Sequence, residues 1–237
     1  MYCFDSIVRY SEIDSGRHMT LSGILDLLQD SCIFHSEDLG MGLDFLQEIQ
    51  RAWVLSFWQV IINRYPKLGE RVHAYTWPYD FKNFLGWRNF KLEDESGGLI
   101  ACANSIWTFL DTDKQCPARI PQEIADRYSY EPPFEMKRAS RKIPLEEDMQ
   151  PKAPLCVGRS CIDTNMHVNN GKYIMMAEEY LPEGFKVREL RAEYKKAAVL
   201  SDIICPNVKV KANQVLVSLE NEVGEAFAIV EFMEDNI

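Results

Sequence analysis

The sequence predicts an α+β fold made of two tandem copies of one unit, in which a long helix is followed by an antiparallel sheet. Three observations predict it. A short motif, IDSGRHMT from Ile13, returns as IDTNMHVN from Ile162. An amphipathic helical pattern follows each copy of the motif, and a series of strand-like segments follows each helix. A recurrence of this kind indicates that one structural unit is present twice.

The two copies of the motif align without a gap. Asp14 aligns with Asp163 and His18 aligns with His167, both at an offset of 149 positions (163 − 14 and 167 − 18). The preceding Ser11 aligns with Ser160 at the same offset. One offset shared by all three pairs favours a true internal repeat over a chance match of two generic α+β units.

A helix is predicted after each copy. The apolar face is formed by Leu21, Ile24, Leu25 and Leu28 in the first copy, and by Tyr173, Met176, Ala177 and Tyr180 in the second. These positions follow the i, i+3, i+4, i+7 spacing of one helix face. Thr20 or Ser22 is a suitable N-cap for the first helix, and Asn169 or Asn170 for the second. The helices are therefore predicted to begin near Thr20 and Asn169.

Strands follow each helix, because segments rich in Val, Ile, Phe and Trp alternate with turn residues. In the first half they are Ala52 to Tyr65, Arg71 to Tyr79, Phe84 to Glu93 and Leu99 to Leu110, with a hairpin turn at Glu95 to Gly98. In the second half they are Val187 to Lys196, Ile203 to Lys211, Gln214 to Glu220 and Ala226 to Met233.

A long helix wrapped by an antiparallel sheet is a hotdog domain, so the sequence predicts two of them. The expected boundaries are 1–130 for the N-terminal hotdog and 155–237 for the C-terminal hotdog. Residues 131–154 are rich in proline and charge and are interpreted as a linker. We expect the two sheets to join edge to edge, since that arrangement pairs strand edges that would otherwise be exposed.

Composition narrows the class of protein. The 237 residues are 46% hydrophobic with a net charge of −10, which disfavours nucleic-acid binding as the main activity. The four histidines are scattered, so no dense metal cluster is predicted. The seven cysteines form no CxxC pair, and no apolar run approaches about 20 residues. The first residues lack a cationic region followed by an apolar stretch, so a signal peptide is not predicted there. We expect a cytoplasmic protein without a membrane span. The sequence does not decide between a monomer and a homodimer.

The segment DTNMHVNNGKY, from Asp163 to Tyr173, resembles the signature D-x-N-x-H-V-N-N-x-K-Y of the acyl-acyl carrier protein thioesterases. In the first half, Val8-Arg9-Tyr10, Trp53 and Tyr65-Pro66 also resemble the N-terminal hotdog of that family. The resemblance implies a double hotdog that hydrolyses fatty acyl thioesters of acyl carrier protein. It also implies acyl carrier protein as the partner, and no cofactor or metal.

One segment departs from the family pattern. Plant members carry a sequence like E-Y-R-R-E-C shortly after the helix, whereas this chain has EYKKAA from Glu193 to Ala198. The positions that match the family glutamate and cysteine are therefore Ala197 and Ala198. This departure excludes a papain-like Cys-His nucleophile at these positions.

Thioester hydrolysis needs an activated water, a donor for the developing oxyanion and a proton for the leaving thiolate. The motif predicts Asp163 as the base, Asn165 as the group that holds the water or the carbonyl, and His167 as an orienting or proton-shuttling group. Backbone donors are expected near Val168 or Asn169, at the start of the helix. Taken one at a time, these polar residues could instead cap a turn, and the histidine could be buried.

Further substrate-binding residues are predicted at Asn170, Trp53 and Phe57. The first copy has Gly16 and Thr20 where the second has Asn165 and Asn169, so the first hotdog is interpreted as the holder of the acyl chain. Its candidate tunnel residues are Trp53, Phe57, Trp58 and Trp77, and ordinary core packing is the alternative for each.

An acidic carrier would need a basic docking patch on this acidic chain. The candidates are Arg188, Arg191, Lys195 and Lys196 near the motif and Lys137, Arg138, Arg141 and Lys142 in the linker, with a solvated face as the alternative.

Three other activities are compatible with a hotdog fold. An acyl-CoA thioesterase would use the same residues. A hydratase or dehydratase typically has D-x-N-P-x-H, whereas Asp163 and His167 are four positions apart without a proline. A non-catalytic acyl-thioester sensor would more naturally carry an additional DNA-binding segment.

Overall fold

The computed structural model describes residues 1–234. The chain divides into two compact units, one formed by residues 1–56 and 60–138 and the other by residues 57–59 and the chain from Ala139 onward. Each unit contains a helix and an antiparallel sheet, as the sequence predicts. Within the described residues, no helix combines the length and the apolar character needed to cross a bilayer.

The first unit contains an antiparallel sheet and the longest helix of the described chain. Its elements are β1 (Tyr2–Ile7), α1 (Leu21–Asp38), α2 (Leu43–Glu48), β2 (Arg51–Ile62), β3 (Arg71–Lys82), β4 (Leu85–Asp94), β5 (Leu99–Asp111), β6 (Cys116–Pro117) and α3 (Gln122–Ala125). The strand order is β1-β3-β4-β5-β2, with β6 on β5. The predicted turn after β4 is present, and Gly97 adopts a φ of 80° there.

Helix α1 begins where the sequence predicts. The Thr20 hydroxyl accepts the N–H of Gly23 at 3.1 Å, which satisfies one of the free amides of the first turn. The apolar face is buried, including Leu21, Ile24, Leu25 and Leu28, and it packs against β1, β3 and β4. Burial of four such side chains contributes about 1.5–3 kcal/mol each, so packing rather than helix propensity stabilises this helix.

A buried polar cluster lies between α1 and the sheet. The guanidinium of Arg88 donates to Nδ1 of His35 at 3.1 Å and to the hydroxyl of Thr76 at 3.0 Å. The ring of Tyr2 stacks on His35 with centroids 5.1 Å apart. Burial, together with the neighbouring charge of Arg88, lowers the pKa of His35 to about 3. The imidazole is therefore neutral at physiological pH and accepts a hydrogen bond from the arginine.

The second unit repeats the plan in a shorter form. Its elements are β7 (Gln150–Pro151), β8 (Leu155–Cys156), α4 (Asn170–Glu178), β9 (Glu189–Tyr194), β10 (Ile203–Val210), β11 (Gln214–Glu220) and β12 (Ala226–Met233). The strand order is β9-β12-β11-β10-β7, with β8 on β10. The predicted bounds of β11 and β12 are confirmed, whereas β9 is shorter at both ends than the predicted segment from Val187 to Lys196.

Helix α4 begins at its predicted N-cap, Asn169, but it ends at Glu178, before the last apolar position of the pattern. Tyr180 and Leu181 donate instead to the carbonyls three residues back. Pro182 follows at once, and proline disfavours helical backbone in the residue before it. The predicted helical stretch was therefore too long at its C-terminal end.

The segment interpreted as a linker packs on both units rather than standing in solvent. Against the first unit, the indole of Trp77 donates to the carbonyl of Pro132 at 3.0 Å, and the amide N–H of Phe134 donates to the buried side chain of Asn89 at 2.9 Å. Within the second unit, Ile143 is buried and packs in a small core with Leu216 and Ile229. The proline-rich composition therefore reflects irregular backbone that is nevertheless packed.

A further repeated element was not predicted. In the first unit, the Glu70 carboxylate accepts the N–H of Lys67, and the Glu70 carbonyl accepts the N–H of Val8. In the second unit, the Asp202 carboxylate accepts the N–H of Val199. The Asp202 carbonyl accepts the N–H of Val157, the residue that follows β8. The acidic residue therefore has the same structural role in both turns.

Candidate active site

The second copy of the motif forms a tight loop that leads into α4. A 3-10 turn over Arg159–Cys161 precedes it, and a β-bridge between Ile162 and Val168 closes its base. The N–H of Asp163 donates to the carbonyl of His167 at 2.8 Å, and the N–H of Met166 donates back to the carbonyl of Asp163 at 3.1 Å. This backbone frame fixes both ends of the loop and projects the side chains between them.

The carboxylate of Asp163 is oriented by the loop itself. Its Oδ1 accepts the backbone N–H of Asn165 at 2.8 Å and that of His167 at 3.4 Å. Across residues 1–234, no hydrogen bond to Oδ2 is seen, and the side chain is half-buried. One carboxylate oxygen is thus committed to the backbone, and the other is available to a substrate or a water.

Asn165 and His167 provide their side chains to the same loop. Asn165 is exposed and His167 is half-buried. Their backbone amides hold Asp163, whereas neither side chain forms a hydrogen bond within the described part of the chain. The three predicted catalytic residues are therefore brought together on five consecutive positions, with two polar side chains free to meet a ligand.

The backbone amides expected to stabilise the oxyanion, those of Val168 and Asn169 at the start of α4, already form hydrogen bonds within the protein. The N–H of Val168 donates to the carbonyl of Ala198 at 2.9 Å, and that of Asn169 donates to the carbonyl of Cys161 at 2.9 Å. Neither amide is therefore free, contrary to the expectation from the sequence. The side chain of Asn169 caps the helix through the N–H of Gly171 at 2.9 Å. Asn170, the first helical residue, has an N–H without a hydrogen bond among the described residues.

The first copy of the motif has the same backbone frame. The N–H of Asp14 donates to the carbonyl of His18 at 2.8 Å, and Oδ1 of Asp14 accepts the N–H of His18 at 2.9 Å. Arg17 and Met166 occupy matching positions with φ values of 63° and 62°. The difference is at Gly16, where a side chain would meet Asp14 Oδ1 at 3.2 Å and His18 Nδ1 at 3.4 Å. The first copy keeps the acid and the imidazole but lacks the amide.

Two family models match this chain. The acyl-ACP thioesterase N-terminal domain matches residues 2–128, and the acyl-ACP thioesterase C-terminal domain matches residues 146–222. The chain belongs to the acyl-ACP thioesterase family. Among relatives, the chain is 25% identical over 221 residues to oleoyl-acyl carrier protein thioesterase 1, chloroplastic, of Arabidopsis thaliana. That alignment covers 84% of this chain and 60% of the plant protein, so the chain spans less than two thirds of its relative's length.

A second plant relative and two solved structures extend the comparison. The palmitoyl-acyl carrier protein thioesterase of Cuphea hookeriana is 28% identical over 200 residues, which cover 77% of this chain and 48% of that protein. An acyl-ACP thioesterase from Bacteroides thetaiotaomicron superposes with a TM-score of 0.88 at 24% identity, covering 98% of this chain and 96% of that one. The 12:0-ACP thioesterase from Umbellularia californica gives 0.85 at 18% identity, with the same coverage. These likenesses establish the hotdog fold.

In this member of the acyl-ACP thioesterase family, Ala198 contacts the motif through its backbone. Ala198 is buried, and its carbonyl accepts the N–H of Val168. Its own N–H donates to the hydroxyl of Tyr173 at 2.8 Å. Ala197 is exposed. The position that matches the family cysteine is therefore adjacent to the motif loop, and Ala198 contacts that loop through its backbone.

Two tyrosines form hydrogen bonds with residues next to the motif loop, and the sequence did not predict this role. Tyr194 donates its hydroxyl to the carbonyl of Asn170 at 3.0 Å. Its ring meets that of Tyr173 edge to face, with centroids 6.0 Å apart. Burial raises the pKa of Tyr173 to about 12 and also raises that of Tyr194, so both hydroxyls stay protonated. Because Tyr173 belongs to the motif and Tyr194 to the conspicuous Glu-Tyr pair, the signal was present in the sequence.

A surface cleft of about 340 Å³ lies beside Ala197. It is lined by Lys196, Ala197, Val199, Asp202, Ile203, Asn221, Glu222 and Phe227. The lining combines apolar side chains with charged ones of both signs.

The predicted basic patch near the motif is largely neutralised. Arg191 pairs with Glu231 at 2.6 Å, Lys195 with Glu193 at 3.5 Å and Lys196 with Glu225 at 2.9 Å. In the segment 131–154, which was predicted as a linker, Arg138 lies over the ring of Tyr79, 4.6 Å from its centroid. Arg141 and Lys142 are exposed. Three of the cations near the motif are thus paired, although Lys195 and Lys196 are also exposed, whereas Arg141 and Lys142 are exposed in the segment before β7.

The aromatic residues predicted to bind substrate are mostly packed. Trp53 packs between Phe81 and Phe109, with ring centroids 5.7 and 4.8 Å away. Phe57, Trp58 and Trp77 are buried. Trp53 therefore contributes to the core of the first unit.

Proposed function

We propose that this protein hydrolyses fatty acyl thioesters of acyl carrier protein and releases the free fatty acid by attack of water. The observation that carries the proposal is the loop of the second motif, in a chain of the acyl-ACP thioesterase family. Two backbone N–H groups orient the carboxylate of Asp163 and leave Oδ2 available. A preset carboxylate loses little freedom when it accepts a proton from water.

In the proposed reaction, Asp163 takes a proton from water while the water oxygen bonds to the thioester carbon. Asn165 holds the water or the carbonyl through its free amide. The carbon–sulfur bond then breaks, and the proton returns from Asp163 to the leaving sulfur through the imidazole of His167. The products are a fatty acid and the carrier thiol, so atoms and charges balance without any further reactant.

We assign stabilisation of the oxyanion to the N–H of Asn170. The amides of Val168 and Asn169 are occupied by protein carbonyls, whereas that of Asn170 is not within the described chain. It is the first amide of α4, where the aligned peptide dipoles favour negative charge. Removal of one such donor typically costs about 10²–10³-fold in rate.

The first unit is proposed to hold the acyl chain, and residues 1–130 remain our proposed limits for this domain. The support is chemical, since Gly16 removes the amide that the second copy presents at Asn165. Trp53 is proposed to act by shaping the core of this unit. Phe57, which belongs to the second unit, remains a predicted contact of the acyl chain. For the carrier protein, Arg141 and Lys142 are the proposed docking cations, because both are exposed.

The test is direct hydrolysis with defined substrates. The purified protein at catalytic concentration is incubated with acyl-ACP and, separately, with acyl-CoA carrying the same acyl chains. Free thiol is measured by a chromogenic reagent, and the acyl product is identified by mass spectrometry. We expect thiol and free fatty acid in equal amounts, with acyl-ACP preferred. A faster reaction with acyl-CoA would contradict the substrate assignment, and a hydrated or dehydrated acyl product would contradict hydrolysis.

A further inference from the structure

Three side chains with different metal-binding atoms meet on the outer face of the first unit's sheet. Cys3 and Asp5 lie two residues apart on β1, and His73 is the cross-strand partner of Asp5 on β3. Oδ1 of Asp5 is 2.7 Å from Nδ1 of His73 and 3.4 Å from Sγ of Cys3. All three candidate ligand atoms lie within 4.8 Å of one another. They are held by paired strands, so their spacing is set by the backbone ladder.

These separations suit a small tetrahedral ion. Zinc binds imidazole nitrogen and carboxylate oxygen at about 2.0–2.2 Å and thiolate sulfur at about 2.3 Å, so neighbouring ligand atoms lie about 3.3–3.6 Å apart. The observed 3.4 Å already meets this spacing, and the 2.7 Å pair needs to open by about 0.6 Å. Cys3 and Asp5 are exposed, and their terminal atoms can make this adjustment by rotation of the side chains.

The surrounding charges favour a cation at this place. The carboxylate of Asp5 accepts a hydrogen bond from the ring of His73 and contributes negative charge to the cluster. Two cations on the same face are already paired: Lys91 with Glu93 at 2.6 Å, where it lies over the ring of Tyr75, and Arg71 with Glu95 at 3.6 Å. The Cys3 thiol lies beside the carboxylate of Asp5, and a metal that binds its sulfur displaces the thiol proton.

The cluster is not a by-product of the hotdog fold. The second unit has the equivalent strand pair, β8 with β10. The positions 149 residues after Cys3 and Asp5 are Lys152 and Pro154, which precede β8 and cannot complete such a site. The set of thiol, imidazole and carboxylate is therefore particular to the first unit.

We propose that Cys3, Asp5 and His73 form a zinc site that joins β1 to β3 on the outer face of the first hotdog. Cys3 provides the thiolate, His73 the ring nitrogen and Asp5 a carboxylate oxygen, with water in the fourth position. Thiolate with imidazole is a ligand set that selects zinc over magnesium or calcium. The ion ties the edge strand to its neighbour and stabilises that edge.

The test uses the full chain after removal of metals by a chelator. Zinc is titrated against a chromophoric competitor, and cobalt is added separately as a spectroscopic probe. We expect one zinc per chain, a near-ultraviolet charge-transfer band of a cobalt–thiolate bond, and a higher melting temperature with zinc. Binding should also weaken as the pH falls, because the thiol must lose a proton. Absence of the cobalt–thiolate band in the unmodified protein would overturn the proposal.

Matched variants locate the site. Cys3→Ser and His73→Gln should each weaken zinc binding on the order of 10-fold or more. Cys116→Ser, which changes another exposed cysteine of the same unit, should leave zinc binding unchanged. Cys161→Ala covers the cysteine beside the catalytic motif. A cobalt–thiolate band that survives Cys3→Ser and disappears in Cys161→Ala would place the metal elsewhere and refute the site.

Discussion

At the scale of single residues, the two motif copies differ most sharply at one amide. Oδ1 of Asp14 accepts the N–H of His18 at 2.9 Å, and Oδ1 of Asp163 accepts that of the matching His167 at 3.4 Å. Oδ1 of Asp163 also accepts the N–H of Asn165 at 2.8 Å. Asn165 adds a side-chain amide, whereas Gly16 has none. The chemistry proposed here therefore depends on a side chain that the fold itself does not need.

Asn165→Ala tests that separation of roles. We expect kcat for acyl-ACP hydrolysis to fall on the order of 10²-fold, because the group that holds the water or carbonyl is lost. Stability should change by no more than about 0.5 kcal/mol, since the loop uses the backbone N–H of this exposed residue and keeps it. Steady-state kinetics and urea unfolding measure the two effects. A large loss of stability with unchanged kcat would reverse the assignment.

Cys161→Ala tests whether a thiol takes part. Cys161 is the last residue of the 3-10 turn that precedes the motif, two positions before Asp163. Its contribution to the loop is its carbonyl, which accepts the N–H of Asn169. The alanine variant keeps that carbonyl and should retain most activity. An inactive but folded variant, or an acyl-enzyme on any cysteine seen by mass spectrometry, would contradict attack by water.

At the scale of elements, α4 is held to the segment after β9 by its first-turn tyrosine. In Tyr173→Phe, the buried N–H of Ala198 loses its acceptor, which should cost about 1–3 kcal/mol of unfolding free energy. Because the carbonyl of Ala198 also holds Val168, we expect kcat to fall as well.

Tyr194→Phe is the matched control for that variant. It removes a donor to the carbonyl of Asn170, an oxygen that has a second lone pair and lies in a helix, so its effect on stability should be smaller. Chemical denaturation of both variants gives the comparison. Equal losses would mean that the hydroxyl of Tyr173 does not hold Ala198.

The C-terminal end of α4 carries a carboxyl group in an unfavourable place. Burial, and then the charge of Glu179, raises the pKa of Glu178 from 4.5 to about 7. The folded state therefore binds more protons than the unfolded state between pH 4.5 and 7, so unfolding free energy falls as the pH rises through that window.

Glu178→Gln should remove this penalty. At pH 8 we expect the variant to be more stable by about 1–3 kcal/mol, whereas at pH 4.5 the two proteins should differ little. Urea unfolding at the two pH values measures this difference, with the exposed Glu183→Gln as a control. A gain of the same size at both pH values would show that the charge of Glu178 is not the cause.

At the scale of the whole molecule, the internal repeat made the fold accessible from sequence. The caps Thr20 and Asn169 and the strands β11 and β12 follow from local rules of capping and alternation, and the structure confirms them. Helix α2 was missed because it has only six residues, and so short a pattern carries little periodicity. The packing of the proline-rich segment was missed because Phe134 and Ile143 find partners far along the chain.

For the candidate site, the sequence predicts which residues take part but not their long-range hydrogen bonds. The roles of Asp163, Asn165 and His167 stay predictions, and their grouping on one loop follows from their adjacency in sequence. The hydrogen bonds that occupy the amides of Val168 and Asn169 depend on Ala198 and Cys161, and the first of these is 30 positions away (198 − 168). No local pattern reports such a contact, so the donor at Asn170 could be assigned only from the structure.

The most direct test of the central proposal compares two matched substitutions, Asp163→Asn and Asp14→Asn. In each, the amide oxygen can still accept the backbone N–H groups that the aspartate accepts, so the loop should survive while the base is lost. Turnover of acyl-ACP is measured for both variants. We expect kcat to fall on the order of 10²-fold or more for Asp163→Asn and to stay near that of the unmodified protein for Asp14→Asn. Equal losses in the two variants, or near-normal turnover by a folded Asp163→Asn, would contradict catalysis by the second copy of the motif.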